Sequence, residues 1–402
     1  MSKLTDTFYL KRAGAYSAPL NSNDRLPVVY GDLTDGIEGI WTLPCLNSTD
    51  WVYAFAGHEV LSLANGNSIV VYENGLVLTG GGVDYTFNAA NDYESLGTIA
   101  TIDMVNPKLN AVITATGMGK PTASGGATLM ENIVDIVYDF LTVENDFTAA
   151  NLESTKKAIA AEIFTTQAYK AAGVIIDDAV IWGIITEMMA SFFGNAYLNG
   201  DGLLVLEVDD GTIQQTGMPP IVAKSESSLK DARQRLVNII NQCPAHYAYN
   251  YVNGGFTGST DTTAHADAIS QGIHGVKKPN TPYQHYWCRD LTSVQTIQDI
   301  IVGKLKNPLY EIEIENITLK NQDVDVGDLF IHSVDSLYDA DGEQLLNNYW
   351  KCVSVNPDFS KGKINFRALQ TNNYLMKAWL LDGSWLLDGS KKLGSDRETV
   401  VY

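Results

Sequence analysis

AGVIIDDAVIWGIITEMMASFFGNAYLNGDGLLVLEV, residues Ala172 to Val208, is the stretch on which the fold turns. Its apolar residues Ile181, Ile184, Ile185, Met188, Met189 and Phe192 recur at the three- and four-residue spacing that gathers side chains on one face of a helix. Asp177 or Asp178, just upstream, is placed to cap that helix. Beyond Phe192 the pattern changes: Asn199 to Gly202, NGDG, is turn material, and the LLVLEV it opens into is strand-like. A helical unit that ends in a strand therefore lies mid-chain, and the fold is decided by what flanks it.

Upstream, from Leu26 to about Val112, the chain is β-like. GIWTL, DWVYAFAGHEVLSL, SIVVYENGLVL and VDYTF are short runs rich in Val, Ile and aromatic residues. Of two Asn-Gly pairs, Asn74-Gly75 sits between apolar runs and predicts a tight hairpin. After the Gly-rich GMGKPTASGG, Glu131 to Leu141 carries Ile133, Val134, Val137 and Leu141 at helical spacing, and Asn151 to Phe164 is a second helix.

Downstream, residues 212–228 form a polar connection containing Pro219 and Pro220. LKDARQRLVNIINQ reads as a short helix or an irregular lead into the alternating AHYAYNYV strand. A polar segment runs to about Pro282, followed by a strand-like YQHYWCRDL and a helix from about Ser293 to Leu305. YEIEIENITL, DVGDLFIHSV, NNYWKCVSV and KINFRAL are β again, the last two joined by the hairpin loop NPDFSKGK. Two β regions thus bracket a helical one, an α+β chain. The expected divisions are an extended N-terminal arm (1–25) without apolar period, a first β unit (26–118), a helical unit (119–211), a second β unit with an inserted helix (212–370) and a C-terminal tail (371–402).

Composition is consistent with several cores: 45% of the 402 residues are apolar and 18% charged. No run approaches the roughly 20 apolar residues of a membrane span, and the opening MSKLTDTFYLKRAG lacks the apolar segment of a secretory signal, so synthesis and folding in the cytoplasm are expected. Cys45, Cys243, Cys288 and Cys352 are too few and scattered for a disulfide framework, which predicts reduced thiols. With 47 acidic against 27 basic residues and a net charge of −20, the surface repels phosphate. Non-specific nucleic-acid binding is not expected, whereas a negative wall along which DNA slides would fit.

No catalytic motif announces itself. GMGKPTASGG lacks the Gly five positions before Gly119, and Pro121 follows Lys120, so it is a flexible turn and not a phosphate loop. DADGEQ would place Leu337 and Asn348 at the first and twelfth positions of a calcium loop, where carboxylates are needed, so it reads as a β-turn. Neither Gly-x-Ser-x-Gly nor His-Glu-x-x-His occurs, and the acidic residues are scattered. Cys243-x-x-His246 and His285-x-x-Cys288 offer the ligand types of tetrahedral zinc. Against zinc, residues three apart in strand-like runs point to opposite faces. No cofactor is expected.

The tail carries WLLDGSWLLDGS, Trp379 to Ser390, one hexamer written twice. Each unit is a short apolar run closed by an Asp-Gly turn, and two units are too few to stack into a core. Trp379, Leu380, Leu381, Trp385, Leu386 and Leu387 are therefore expected to dock on a neighbouring subunit or another protein.

In order along the chain, LPVVYGDLTDGIEGIWTLPCLN, ENIVDIVYDFL, the opening stretch from Ala172 to Val208, SLKDARQRLVNII with YNYVNGGF, KLKNPLYEIEIE, VDVGDLFIHS and NYWKCVSVNPDFSKGKINFRAL resemble segments of the tail hub (baseplate hub, tail tip) proteins of long-tailed bacteriophages. The likeness spans most of residues 26–370 and is one of order and texture. It implies two β-barrel-like tube domains around the helical unit and a homotrimer whose six β domains match a six-fold tail tube to three-fold tip proteins around the DNA channel. Its implied partners are a distal tail protein or tail tube, a tape measure protein and tip or fibre proteins, in a virion assembled in the host cytoplasm. Some related tip proteins hold an iron–sulfur cluster on four cysteines, but the spacing here matches no cluster run. The alternatives are a six-fold distal tail protein, a tip adhesin and a cell-wall hydrolase.

Overall fold

The computed structural model describes residues 4, 6–10, 26–93, 96–107, 111–210, 222, 227–234, 239–260, 265–316, 324–338, 344–358 and 360–371. The tail hexamers, with Trp379, Leu380, Leu381, Trp385, Leu386 and Leu387, and most of the loop DADGEQ lie outside these residues.

After a short strand at Thr7–Phe8 (β1), the first unit is built from β2 (Val28–Tyr30), β3 (Asp32–Leu33), β4 (Trp41–Thr42), β5 (Cys45–Asn47), β6 (Val52–Ala56), β7 (Val70–Glu73), β8 (Leu76–Val77), β9 (Tyr85–Asp92), β10 (Thr98–Met104) and β11 (Ile113–Met118). One sheet has the order β5-β6-β10-β9; the other runs β3-β11-β7-β8, with β4 also on β11. Their inward side chains, among them Leu33, Trp41, Phe55, Val71, Ile102 and Ala115, share one core. The hairpin at Asn74-Gly75 joins β7 to β8 as anticipated, both residues at positive φ (51° and 78°), which a two-residue turn of matching twist requires.

The middle unit contains α1 (Ile133–Asp139), α2 (Ser154–Thr166), β12 (Gly173–Ile175), β13 (Ala179–Val180), α3 (Ile181–Ala190), β14 (Gly194–Leu198) and β15 (Leu204–Val208). Asn132 caps α1 by accepting from Val134 N, and the helix continues as a π-helical turn over Phe140–Glu144. The face read from the sequence is the buried face of α3 through Ile181, Ile184, Ile185, Met188 and Met189, and Phe192, two residues past the helix, enters the same core. Each such side chain contributes about 1.5–3 kcal/mol by leaving water. The NGDG turn closes the β14–β15 hairpin.

Two expectations are corrected at this point. Neither Asp177 nor Asp178 caps α3, which starts after Val180 because Ala179–Val180 is taken up as β13 and pairs with β1. Asp178 Oδ1 instead accepts from Leu10 N at 2.9 Å. The N-terminal arm is not simply an extended run: of its described residues only Thr7–Phe8 is strand, and Leu4, Phe8 and Leu10 are buried in the middle core, with the Phe8 ring edge-on to Phe140 at 5.0 Å. Three apolar residues show no period, yet they suffice to dock an arm whose backbone finds a strand edge.

From residue 227 onward the chain is shared between two cores. β16 (Ser227–Gln234) comes first; then β17 (Ala245–Asn250), β18 (Gly255–Thr260), α4 (Ala268–His274), β19 (Tyr283–His285) and α5 (Leu291–Leu305); then β20 (Tyr310–Asn316), β21 (Leu329–Tyr338), β22 (Gln344–Asp358) and β23 (Lys363–Gln370). Cys243, Ala245, Trp287, Cys288, Val294, Ile297, Ile301 and Val302 belong to the middle core. The remaining strands form a sheet of order β16-β20-β23-β22-β21 over a core of their own, including Ile312, Ile314, Phe330, Trp350, Phe366 and Ala368. Residues 212–370 therefore do not share one core. The first six residues of the stretch read as a short helix or irregular lead, Leu229 to Gln234, belong instead to strand β16, drawn out by the ladder to β20. The expected polar segment before Pro282 contains α4.

This second sheet is curled into a half-barrel. Val222, five residues before β16 at one edge, bonds the other edge: its N donates to Ile331 O at 2.9 Å and its O lies 2.8 Å from His332 Nδ1. The chain is strand-rich and mixed α+β, as the sequence predicts.

Candidate functional site

The most chemically organised surface is the outer face of the half-barrel. In β20, YEIEIEN alternates so that Ile312 and Ile314 are fully buried while Glu311, Glu313 and Glu315 take the opposite face. β23 alternates likewise, with Ile364, Phe366 and Ala368 inward and Lys363, Asn365 and Arg367 outward. Their registers place Glu311 opposite Leu369, Glu313 opposite Arg367 and Glu315 opposite Asn365.

The charges on that face are paired. Glu315 receives Lys230 of β16 and Lys363 of β23, both at 3.2 Å, and these two bonds hold its carboxyl below the usual range. Arg367 Nε binds Glu311, whose side chain is only 3% exposed, and that bond raises the guanidinium further. Lys351 of β22 reaches Glu207 of β15 at 2.6 Å, tying the half-barrel to the middle unit. With each base set beside an acid, this face is a hydrated lattice of compensated charge. It repels neither water nor a polar partner, and it offers no concentrated positive field to capture phosphate.

Lys120, in the Gly-rich turn after β11, has an occupation the sequence did not reveal. Its Nζ donates to Asp139 Oδ2 at 2.6 Å and Glu144 Oε1 at 3.0 Å, at the end of α1 and in the π-helical turn. Asp139 also accepts from Tyr30 OH at 2.7 Å. His58 stacks on Tyr30, accepts from Val29 N through Nε2 at 2.9 Å and places Nδ1 2.7 Å from Glu59 O. Burial, with the Lys120 charge second, lowers the His58 pKa to about 4. This group clasps the first unit to the middle one.

The zinc-like set is dispersed. His246 stacks on Phe256 at 5.9 Å, whereas His285, across the parallel β17–β19 pair, is buried with Nδ1 2.7 Å from Ser191 O. Cys243 and Cys288 lie in the apolar middle core, where burial raises the first thiol to about 12 and the second higher still. Among the described residues no three His, Cys, Asp or Glu form a metal-holding group. The four cysteines occupy three cores, Cys45 in the first, Cys243 and Cys288 in the middle and Cys352 in the half-barrel, so they do not share one iron–sulfur cluster within a subunit.

No family model matches the chain, and no curated protein does either. The site must be read from its own geometry. That geometry is one of surfaces: two β units of different construction on a common middle core, one with a charge-compensated outer sheet. Cross-strand ion pairs of this kind carry no local sequence signal, because Glu315 and its partners Lys230 and Lys363 are far apart in the chain.

Proposed function

We propose that the chain is a structural tail hub protein, three copies of which ring the DNA channel at the tail tip of a long-tailed bacteriophage and join the six-fold tube to three-fold tip proteins. The observation that carries this reading is the presence of two separate β units on one chain, each with its own core and both anchored to a helical middle. Three such chains present six β units in a ring, the count a tube demands, while the middle units supply three-fold contacts. The compensated charge of the half-barrel's outer face and the net charge of −20 suit a wall that DNA passes without adhering. Its partners in this reading are the distal tail protein or tail tube, the tape measure protein and tip or fibre proteins. It performs no catalytic turnover.

The test is the copy number in the assembled particle, measured by native mass of the isolated ring and by particle imaging. Three copies are expected, near three times the 43.9 kDa chain mass. Six copies would identify the distal tail ring, and a strictly monomeric protein with no place in a particle would end the reading.

A further inference from the structure

α4 is a helix with an uncovered apolar face. Ser270 points inward and is buried, but Ile269 and Ile273, four residues apart, are 78% and 69% exposed, and Val276 just beyond the helix is 60% exposed. Lys277 and Lys278 follow, both exposed, with no ion pair shown among the described residues. An apolar stripe edged by two lysines is anomalous on a chain with 47 acidic residues against 27 basic.

We infer that this face is the dock for the C-terminal repeat of the same chain. Position comes first. Gln370 Oε1 accepts from Tyr310 N at 3.1 Å, and four residues upstream of Tyr310, Lys306 holds α4 through Nζ on Asp267 at 2.9 Å and through its carbonyl, which accepts from Ser270 Oγ. The exit of the tail at Thr371 therefore lies within about 25 Å of α4, and the eight residues from Thr371 to Trp379 reach up to about 28 Å.

Fit comes second. In an extended Trp-Leu-Leu run the first and third side chains share a side about 6.6 Å apart. On a helix, residues four apart stand about 6 Å apart along the axis, so Trp379 and Leu381 match Ile269 and Ile273. Asp382, the next residue, then meets Lys277 and Lys278, and the second hexamer presents the same set from Trp385 to Asp388.

Size selects the occupant. A stable contact between free molecules buries about 1,200 Å² or more, beyond what a seven-residue helix presents. A tethered segment works at an effective concentration in the millimolar range and needs far less area. The dock is thus on the tail's own subunit and not on the neighbour that the sequence suggests, and the inference stands apart from the hub reading.

The test uses the full chain. Its described cysteines are all buried, so Ile273→Cys with Leu381→Cys adds the only engineered surface pair. Mixed with isotope-labelled copies and oxidised mildly, this variant should give a disulfide within one chain, well above a Leu76→Cys, Leu381→Cys control. A cross-link mainly between chains, or none above the control, overturns the inference. Independently, Ile273→Asp, at an exposed position, should speed tryptic cleavage after Lys377 by about fivefold or more by freeing the tail; equal rates in the two proteins would overturn it too.

Discussion

At the scale of single residues, the Lys120 clasp shows what sequence can and cannot convey. Lys120 was legible as a lysine outside any phosphate loop, but not as an ion-pair centre, because Asp139 and Glu144 lie 19 and 24 residues away and become its neighbours only once α1 and Tyr30 of β2 share the middle core. The side chains are 12–15% exposed, so the pairs are largely removed from water. Lys120→Met leaves two carboxylates there without their cation and should lower the free energy of unfolding by about 2–4 kcal/mol, read from urea midpoints at unchanged slope. His58 adds a pH dependence of definite sign. The folded chain keeps it neutral to about pH 4, whereas the unfolded imidazole binds a proton near pH 6.5. Between those values the unfolded state holds more protons, so this contribution is complete above pH 6.5 and is lost as the pH falls toward 4, by about 3 kcal/mol at most. Burial raises the carboxyls of Glu131, Asp135 and Glu187, whose contributions run the other way. The difference between the wild type and His58→Gln isolates the histidine: the variant's stability should fall less steeply between pH 6.5 and 4, and parallel curves would refute the assignment.

At the scale of elements, legibility followed periodicity. The buried face of α3, the Asn74-Gly75 hairpin and the alternating β20 and β23 were open to reading because each element's own residues specify it. β16 was not, since its sequence suits a helix as well as a strand and the choice is made by the unfilled edge of β20. α4 was missed because a short helix with its apolar residues outward has no core-facing pattern. The joint between the first two units was equally hidden. There β2 and β12 pair, with Val28 and Tyr30 entering the middle core while Val29 and Val174 enter the first. So close an approach depends on Gly31, at φ 71°, where an added Cβ would lie 2.1 Å from Ala171 O and 2.6 Å from Ala172 Cα. Gly31→Ala combines a positive φ with a clash against backbone that cannot rotate away. It should cost about 2–4 kcal/mol by urea unfolding, whereas Gly66→Ala, at positive φ but with open space around it, should cost less.

At the scale of the whole molecule, the distribution of cores sets how it comes apart. The first and middle cores are joined through an apolar ribbon, because β2 and β12 send alternate side chains into each, so neither loses its packing without exposing the other. The half-barrel meets the middle unit differently. Across that boundary Lys351 pairs with Glu207, Lys156 with Asp328 and Gly200 N with Asp325, and the Tyr197 ring lies against Gly327. The ion pairs are partly hydrated and add little cooperativity. The chain passes between the two bodies several times, but a covalent connection constrains position without sharing buried surface. Denaturant should therefore unfold the protein in two steps, with the half-barrel and the coupled first and middle units as separate transitions. Phe366 is fully buried in the half-barrel, and Phe366→Ala should move only its transition, by about 3–5 kcal/mol. Gly31→Ala should move only the other. Calorimetry and tryptophan fluorescence follow both, since Trp350 reports on the half-barrel and Trp41 and Trp287 on the remainder. A single transition shifted alike by both substitutions would mean that the polar boundary couples the bodies as firmly as the ribbon does.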